Sequence, residues 1–175
     1  MSDTMTAMLE RRSIRKYKSE MVPRETIDRI INAGLYAASG RGKQAGLIIA
    51  VTNSDLIERL RCMNREIMGA PQTYDPVFGA PVVLSVLANR EVATAVYDGS
   101  LVMGNLMLAA HELGLGSCWV HRAKQEFETD MGKQLLRDLG IEGDYEGIGH
   151  CVLGYPDCDL PAPAPRRGGN VFYIE

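Results

Sequence analysis

The amino-acid sequence predicts a single α+β or three-layer α/β domain over residues 1–175, on three observations. Helical and strand-like stretches interleave along the chain without a regular βαβ rhythm. Four short apolar runs rich in Val, Ile, Leu and Ala have the length of buried strands rather than of helices. No internal repeat or linker divides the 175 residues, a length that suits one domain with a sizeable core.

Thr4–Glu10 is a first short helix, ending at a basic run. The next helix carries Ile27, Ile30, Ile31, Leu35 and Ala38 at i, i+3, i+4, i+8 and i+11, one apolar stripe, with Pro23 just ahead of it. Ser39-Gly40-Arg41-Gly42 breaks that pattern, and Leu47–Thr52 reads as a buried strand. Asn53 or Ser54 caps a third helix through Met68, with Leu56, Ile57, Leu60 and Ile67 apolar. Gly, Pro, Asp and Tyr make residues 69–79 a loop, and Pro81–Ala88 is the second buried strand. Gly99–Leu113 is a helix apolar on nearly every side, which places it in the core or at a subunit interface. Gly114–Val120 leads into a third strand. Phe127–Leu139 is an amphipathic helix ended by Gly140, and Gly147–Gly154 is a fourth strand. Three prolines within Pro161–Pro165 forbid helix and extend the chain, and Asn170–Ile174 has the composition of a further strand. An arm of this kind suits contact with a partner subunit better than closure of a monomer.

Composition removes several classes of function. With 19 basic and 22 acidic residues the net charge is −3, so no general basic field attracts nucleic acid. Cys62, Cys118, Cys151 and Cys158 form no C-x-x-C pair, and no histidine stands at zinc-finger spacing from them, so no structural metal is expected. Residues 1–20 lack the apolar core of a signal peptide, and the uncharged stretch Gly99–His111 is too short to cross a bilayer. A cytoplasmic protein without membrane or nucleic-acid partners is the expectation.

Arg11–Lys18 is the first segment whose chemistry needs an explanation, because five of its eight residues are cationic in a chain that is acidic overall. A solvated face and a phosphate clamp both account for it, whereas a nucleic-acid patch would need further basic stripes. As a clamp, Arg11, Ser13 and Arg15 alternate and share one side of an extended backbone, offering forked guanidinium donors and a hydroxyl. Ala37–Gln44 follows a helix and precedes a strand, the wrong order for a Rossmann turn, and Gln44 stands where a P-loop needs Ser or Thr. It is either a helix-ending turn or a flexible, donor-rich loop suited to the edge of a planar polar ring. Gly114–Arg122 contains Trp119, the one tryptophan, and by itself reads as a core strand. Cys118 is a weak nucleophile candidate with His121 only three residues away. His111 and His150 read as core or interface histidines, and no Ser-His-Asp spacing, carboxylate pair or metal-ligand cluster stands out. Many anion donors without a triad suit an enzyme whose reactive atoms belong to a cofactor.

Taken in order, Glu10–Tyr17, Ala37–Gln44, the strand Leu47–Asn53, Tyr97–His111, Gly114–Trp119, Gly154–Pro156 and Pro165–Arg167 resemble the nitroreductase family of FMN-dependent NAD(P)H oxidoreductases. The resemblance covers nearly the whole chain. It implies a three-layer α+β fold with a mixed central sheet flanked by helices, in an intertwined homodimer with two FMN sites built from both subunits. By position, Arg11, Arg12, Ser13 and Arg15 would hold the phosphate and ribityl end, with Arg166 adding a further cation. Ala38 and Ser39 would lie along the isoalloxazine and Arg41 near its polar edge. The backbone around Cys118, Trp119 and Val120 would pack near the ring, with His121 and Arg122 close by.

The implied chemistry is ping-pong: NADH or NADPH gives a hydride to flavin N5, and a small acceptor such as a nitroaromatic or quinone then takes the electrons. Flavin fragmentation, reductive dehalogenation and a redox sensor or store with little turnover are the alternatives. The chain departs from the family pattern at Gly42, Ala45 and Gly46, where many members have Asn, Pro and Trp. It departs again at Ala164, where a lysine is usual. These departures bear on the acceptor more than on flavin binding.

Overall fold

The computed structural model describes residues 4–175. Helix α1 (Thr4–Glu10) and helix α2 (Arg24–Leu35) precede strand β1 (Gly46–Val51) and helix α3 (Ser54–Met68). Strand β2 (Val82–Asn89), helix α4 (Ala95–Glu112) and strand β3 (Gly116–Val120) follow, then helices α5 (Ala123–Glu128) and α6 (Asp130–Asp138) and strand β4 (Tyr145–Gly154). Most boundaries fall within a few residues of those read from periodicity. Asn53, not Ser54, caps α3, its side chain accepting from the Leu56 N–H at 2.9 Å, and Gly69 in the left-handed region ends that helix.

The sheet order is β1-β2-β4-β3. Its alternating faces bury two separate cores, with α2 and α4 on one side and α3, α5 and α6 on the other. Val82, Leu84, Val86 and Ala88 serve the first core and Val83 and Leu87 the second, which is why β2 reads as a continuous apolar run rather than an alternating one. The α+β class and the three layers are as expected.

Three expectations need correction. The sheet is not mixed: all three strand pairings are antiparallel, and the only parallel pairing among the described residues is an isolated bridge between Ser13 and Ser117. The physical reason lies in the connections: α3 leaves the end of β1 and the loop 69–81 leads back to that same end, so β2 runs antiparallel to β1. The single helix Phe127–Leu139 is two helices, because Thr129 is extended (φ −71°, ψ 161°) and its hydroxyl accepts from the Gly132 N–H at 3.1 Å, restarting the helix. Asn170–Ile174 forms no strand within the chain. All of residues 161–175 are exposed and without regular structure.

Glycines set how closely α5 approaches the sheet. A Cβ on Gly147 would lie 2.3 Å from the Ala123 carbonyl group, and one on Gly132 would lie 2.2 Å from the Glu126 carbonyl oxygen. The first turn of α5 therefore rests directly on β4, where a β-bulge between Val86 and Leu87 leaves Ile148 unpaired.

Candidate active site

The basic run is extended and adds itself to the edge of the sheet. The Ile14 N–H donates to the Ser117 carbonyl at 2.9 Å, and the Lys18 N–H donates to the Tyr155 carbonyl at 2.9 Å. Ile14 and Tyr17 anchor it in the second core, the Tyr17 hydroxyl donating to the Ile14 carbonyl at 2.7 Å. The backbone of Arg15 and Lys16, between these anchors, is thereby held against the sheet edge. Burial raises the Cys118 thiol above its ordinary value, with Arg15, a hydrogen bond to Ser13 and Arg11 acting against it. Arg11 and Ser13 share a cleft, whereas Arg15 opens onto a different one.

Three clefts lie along this segment. Arg11, Arg12 and Ser13 line one of about 640 Å³ together with Arg166, which lies more than 150 residues away in sequence. Arg11 and Arg12 also face a neighbouring cleft shared with Ser117 and His111. Three donors here are buried without a partner: Arg11 Nη1, Arg12 Nε and the Ser117 hydroxyl. Buried donors are seldom left unmatched, and an anion is the kind of group that would match this cluster. Arg12 has a second task, its Nη1 donating to the Leu9 carbonyl at 2.7 Å and so tying down the open end of α1. Ser117 went unnoticed as a donor in the sequence, where it looked like one more residue of a core strand.

The third cleft, about 240 Å³, is lined by Arg15, Cys118, Trp119, Val120, His121 and Arg122, and on its far side by Tyr74, Pro76 and Phe78. The Arg15 guanidinium stands 5.9 Å from the centre of the Phe78 ring, and Tyr74 meets Phe78 edge to face at 6.5 Å. The two aromatics were not predicted, because residues 69–79 read only as a loop. That loop is ordered by Asp75, whose carboxylate accepts from the N–H groups of Val77 (2.9 Å) and Gly79 (2.7 Å). Trp119 lies flat across Gly149, where a Cβ would come within 2.2 Å of its indole nitrogen.

Ala38, Ser39 and Arg41 line none of these clefts. Arg41 faces a separate cleft with Lys43 and Thr94, and the loop is pinned rather than flexible. The buried Asp98 carboxylate accepts from the Gly40 N–H at 3.0 Å and from the Thr94 hydroxyl, and the Ser39 hydroxyl accepts from the Gln44 N–H. Arg41 (φ 53°) and Gln44 (φ 48°) both hold left-handed backbone that non-glycine residues rarely adopt.

His150 is the satisfied core histidine the sequence suggested. Its Nδ1 lies 2.8 Å from the Ser85 hydroxyl and its Nε2 3.0 Å from Glu126. A serine, a histidine and a carboxylate in line resemble a hydrolase triad, but Ser85 is fully buried and lines none of the clefts described above. No group of three or more His, Cys, Asp or Glu able to hold a metal occurs among the described residues, and no described helix is long and apolar enough to cross a membrane.

The Nitroreductase family matches residues 8–155. A Methanothermobacter thermautotrophicus protein, provisionally named an NADH dehydrogenase/NAD(P)H nitroreductase, is 32% identical over 124 residues, which are 67% of this chain and 60% of that one. The chain therefore spans less than two thirds of that relative's length. An NADPH-flavin oxidoreductase of Vibrio harveyi is 26% identical over the whole of this chain and 74% of its own. A Bacteroides fragilis nitroreductase solved with FMN bound superposes with a TM-score of 0.89 at 24% identity, all of both chains being covered. A family match running from Met8 to Tyr155, on a fold shared over its full length with a solved nitroreductase, makes this chain a member of the nitroreductase family.

Proposed function

We propose that the chain binds FMN and works as an NAD(P)H-dependent oxidoreductase acting on a small acceptor such as a quinone or nitroaromatic compound. The observation that carries this is the pairing, along one extended segment, of unmatched buried donors with an aromatic-walled cleft. The donor end suits a phosphate and the aromatic end suits a planar ring, and two residues of extended chain, about 7 Å, separate Ser13 from Arg15. Bound FMN would supply hydride acceptance at N5 from NADH or NADPH and ping-pong delivery of two electrons to the acceptor.

The protein's own groups then bind and orient. Arg11, Ser13, Ser117 and Arg166 take the phosphate, with Arg12 Nε beside them. Arg15 reaches the polar edge of the ring, and the Cys118–Val120 backbone and the Tyr74–Phe78 wall exclude water from it.

Ala38, Ser39 and Arg41 join this site only from a second copy of the chain, which makes the working unit a homodimer. Support comes from apolar side chains that a monomer leaves bare: Tyr36 at the end of α2, Tyr97 and Leu101 on α4, and Phe172 and Ile174 on the C-terminal arm.

Purified protein tests this directly. It should be yellow or take up FMN, bleach under NADH or NADPH, and recover its colour with a quinone or a nitro compound. Protein that stays colourless after incubation with FMN overturns the proposal.

A further inference from the structure

Four buried polar side chains from four elements form one hydrogen-bonded chain that flavin binding alone does not require. Ser85 on β2 bonds His150 on β4, His150 bonds one oxygen of Glu126 on α5, and the other oxygen accepts from Asn64 on α3. None of the four is more than 1% exposed. Polar groups this deep are costly unless paired, so the chain is built for a purpose.

Its free end points to that purpose. Asn64 Nδ2 also donates to the His121 carbonyl at 2.7 Å. Both partners of that amide nitrogen are acceptors, which fixes the amide's orientation and turns Oδ1, itself unpartnered, away from them. His121 begins the turn between β3 and α5 in which Arg122 holds φ 86° and ψ −5°, a left-handed conformation that a non-glycine residue keeps only where its surroundings impose it. The Arg122 carbonyl accepts the first helical bond of α5, from the Glu126 N–H at 3.0 Å. The side-chain grip on the turn therefore comes from Asn64, which the Glu126 carboxylate holds in place, and Asn64, His121 and Arg122 all line the aromatic cleft.

We propose that Asn64 and Glu126 are positioning residues for the redox site, holding the His121–Arg122 backbone in the one conformation that shapes the cleft wall. The inference rests on the FMN oxidoreductase function above. His150 and Ser85 act one step further back, orienting the Glu126 carboxylate. Glu126→Gln should preserve the arrangement: the amide oxygen accepts from Asn64, the amide nitrogen donates to His150 Nε2, and His150 Nδ1–H turns to the Ser85 oxygen. Glu126→Ala breaks it. Asn64→Asp keeps the shape but sets a carboxylate against two acceptors.

The test compares wild type, Asn64→Asp, Glu126→Ala and Glu126→Gln. Hydrogen exchange of the 119–126 amides is measured without FMN, and the visible circular dichroism and midpoint potential of the flavin are measured in FMN-loaded protein, with reduction by NADPH followed by stopped flow. We expect Asn64→Asp and Glu126→Ala to speed exchange in the turn at least tenfold, to alter the flavin signal, and to slow reduction by NADPH about tenfold, while Glu126→Gln stays near wild type. Lowered melting temperatures with unchanged exchange, flavin dichroism and potential would show a purely structural network and overturn the inference. If Glu126→Ala does not fold, Asn64→Asp decides alone. Wild-type protein that fails to bind FMN sinks the functional proposal instead, and the exchange measurement still decides whether Asn64 holds the turn.

Discussion

Gly147→Ala probes the contact on which the geometry of the cleft depends. The added Cβ would lie 2.3 Å from the carbonyl carbon and oxygen of Ala123 and 2.7 Å from the Lys124 nitrogen. Ordinary carbon contacts begin near 3.5 Å, so about 1.2 Å of movement is required, and backbone rather than a flexible side-chain tip must supply it. Strand β4 is bonded to β2 on one side and β3 on the other, which leaves the start of α5 to move. Overpacking of this kind costs roughly 1–3 kcal/mol, and the backbone contact argues for the upper part of that range, about 2–3 kcal/mol. In a chain of this length that corresponds to a fall of roughly 4–12 °C in Tm. Arg122 immediately precedes α5 and lines the cleft, so FMN affinity should fall with stability. Urea unfolding at one fixed protein concentration gives the stability change, and titration of FMN fluorescence gives the affinity. A stability loss below about 0.5 kcal/mol with unchanged FMN affinity would refute the close docking of α5 on β4.

Four further outcomes are expected. Arg11→Ala should weaken FMN binding by about 1.5–3 kcal/mol, roughly ten- to 150-fold in Kd, and Ser117→Ala by about 0.5–1.5 kcal/mol, both read by fluorescence titration. Leu101→Glu places a charge on a half-exposed apolar position of α4 and should halve the mass seen by light scattering, if α4 meets a second subunit as proposed. Glu146, bonded to Lys124 and lying beside Arg90, has its carboxyl held below the ordinary value of 4.5. A carboxyl depressed in the folded state stabilises above its unfolded pKa and loses that contribution as pH falls through the folded one. Glu146→Gln should therefore cost about 0.5 kcal/mol at pH 7, with the gap to wild type closing as pH drops below about 4, a trend that unfolding midpoints across pH would show.

Much of the local architecture is legible in the residues themselves. The stripe Ile27, Ile30, Ile31 and Leu35 marks α2, and the unbroken apolar run of β2 announces a strand buried on both faces. The alternation of Arg11, Ser13 and Arg15 predicts a shared side, because an extended backbone has a period of two, whereas Arg11 and Ser13 line one cleft and Arg15 another. These are short-range properties, carried by spacing within a few residues. Tyr74 and Phe78 gave no such signal: their value comes from lying across a cleft from Arg15, and irregular loops have no period from which that follows. The resemblance sets Ser39 along the flavin ring and Arg41 near its polar edge, yet within one chain neither lines the cleft of Arg15 and Cys118, and Arg41 stands at a different one.

What the sequence by itself determined about this protein is therefore the inventory: the helices and strands, the two apolar faces of the sheet, and a basic segment too dense for an acidic chain. Tertiary structure alone decided the antiparallel order of the strands, the break at Thr129 and the chain Ser85–His150–Glu126–Asn64. The partners in that chain are separated by 65, 24 and 62 residues, and hydrogen bonds across such distances depend on how whole elements pack, which no local periodicity records.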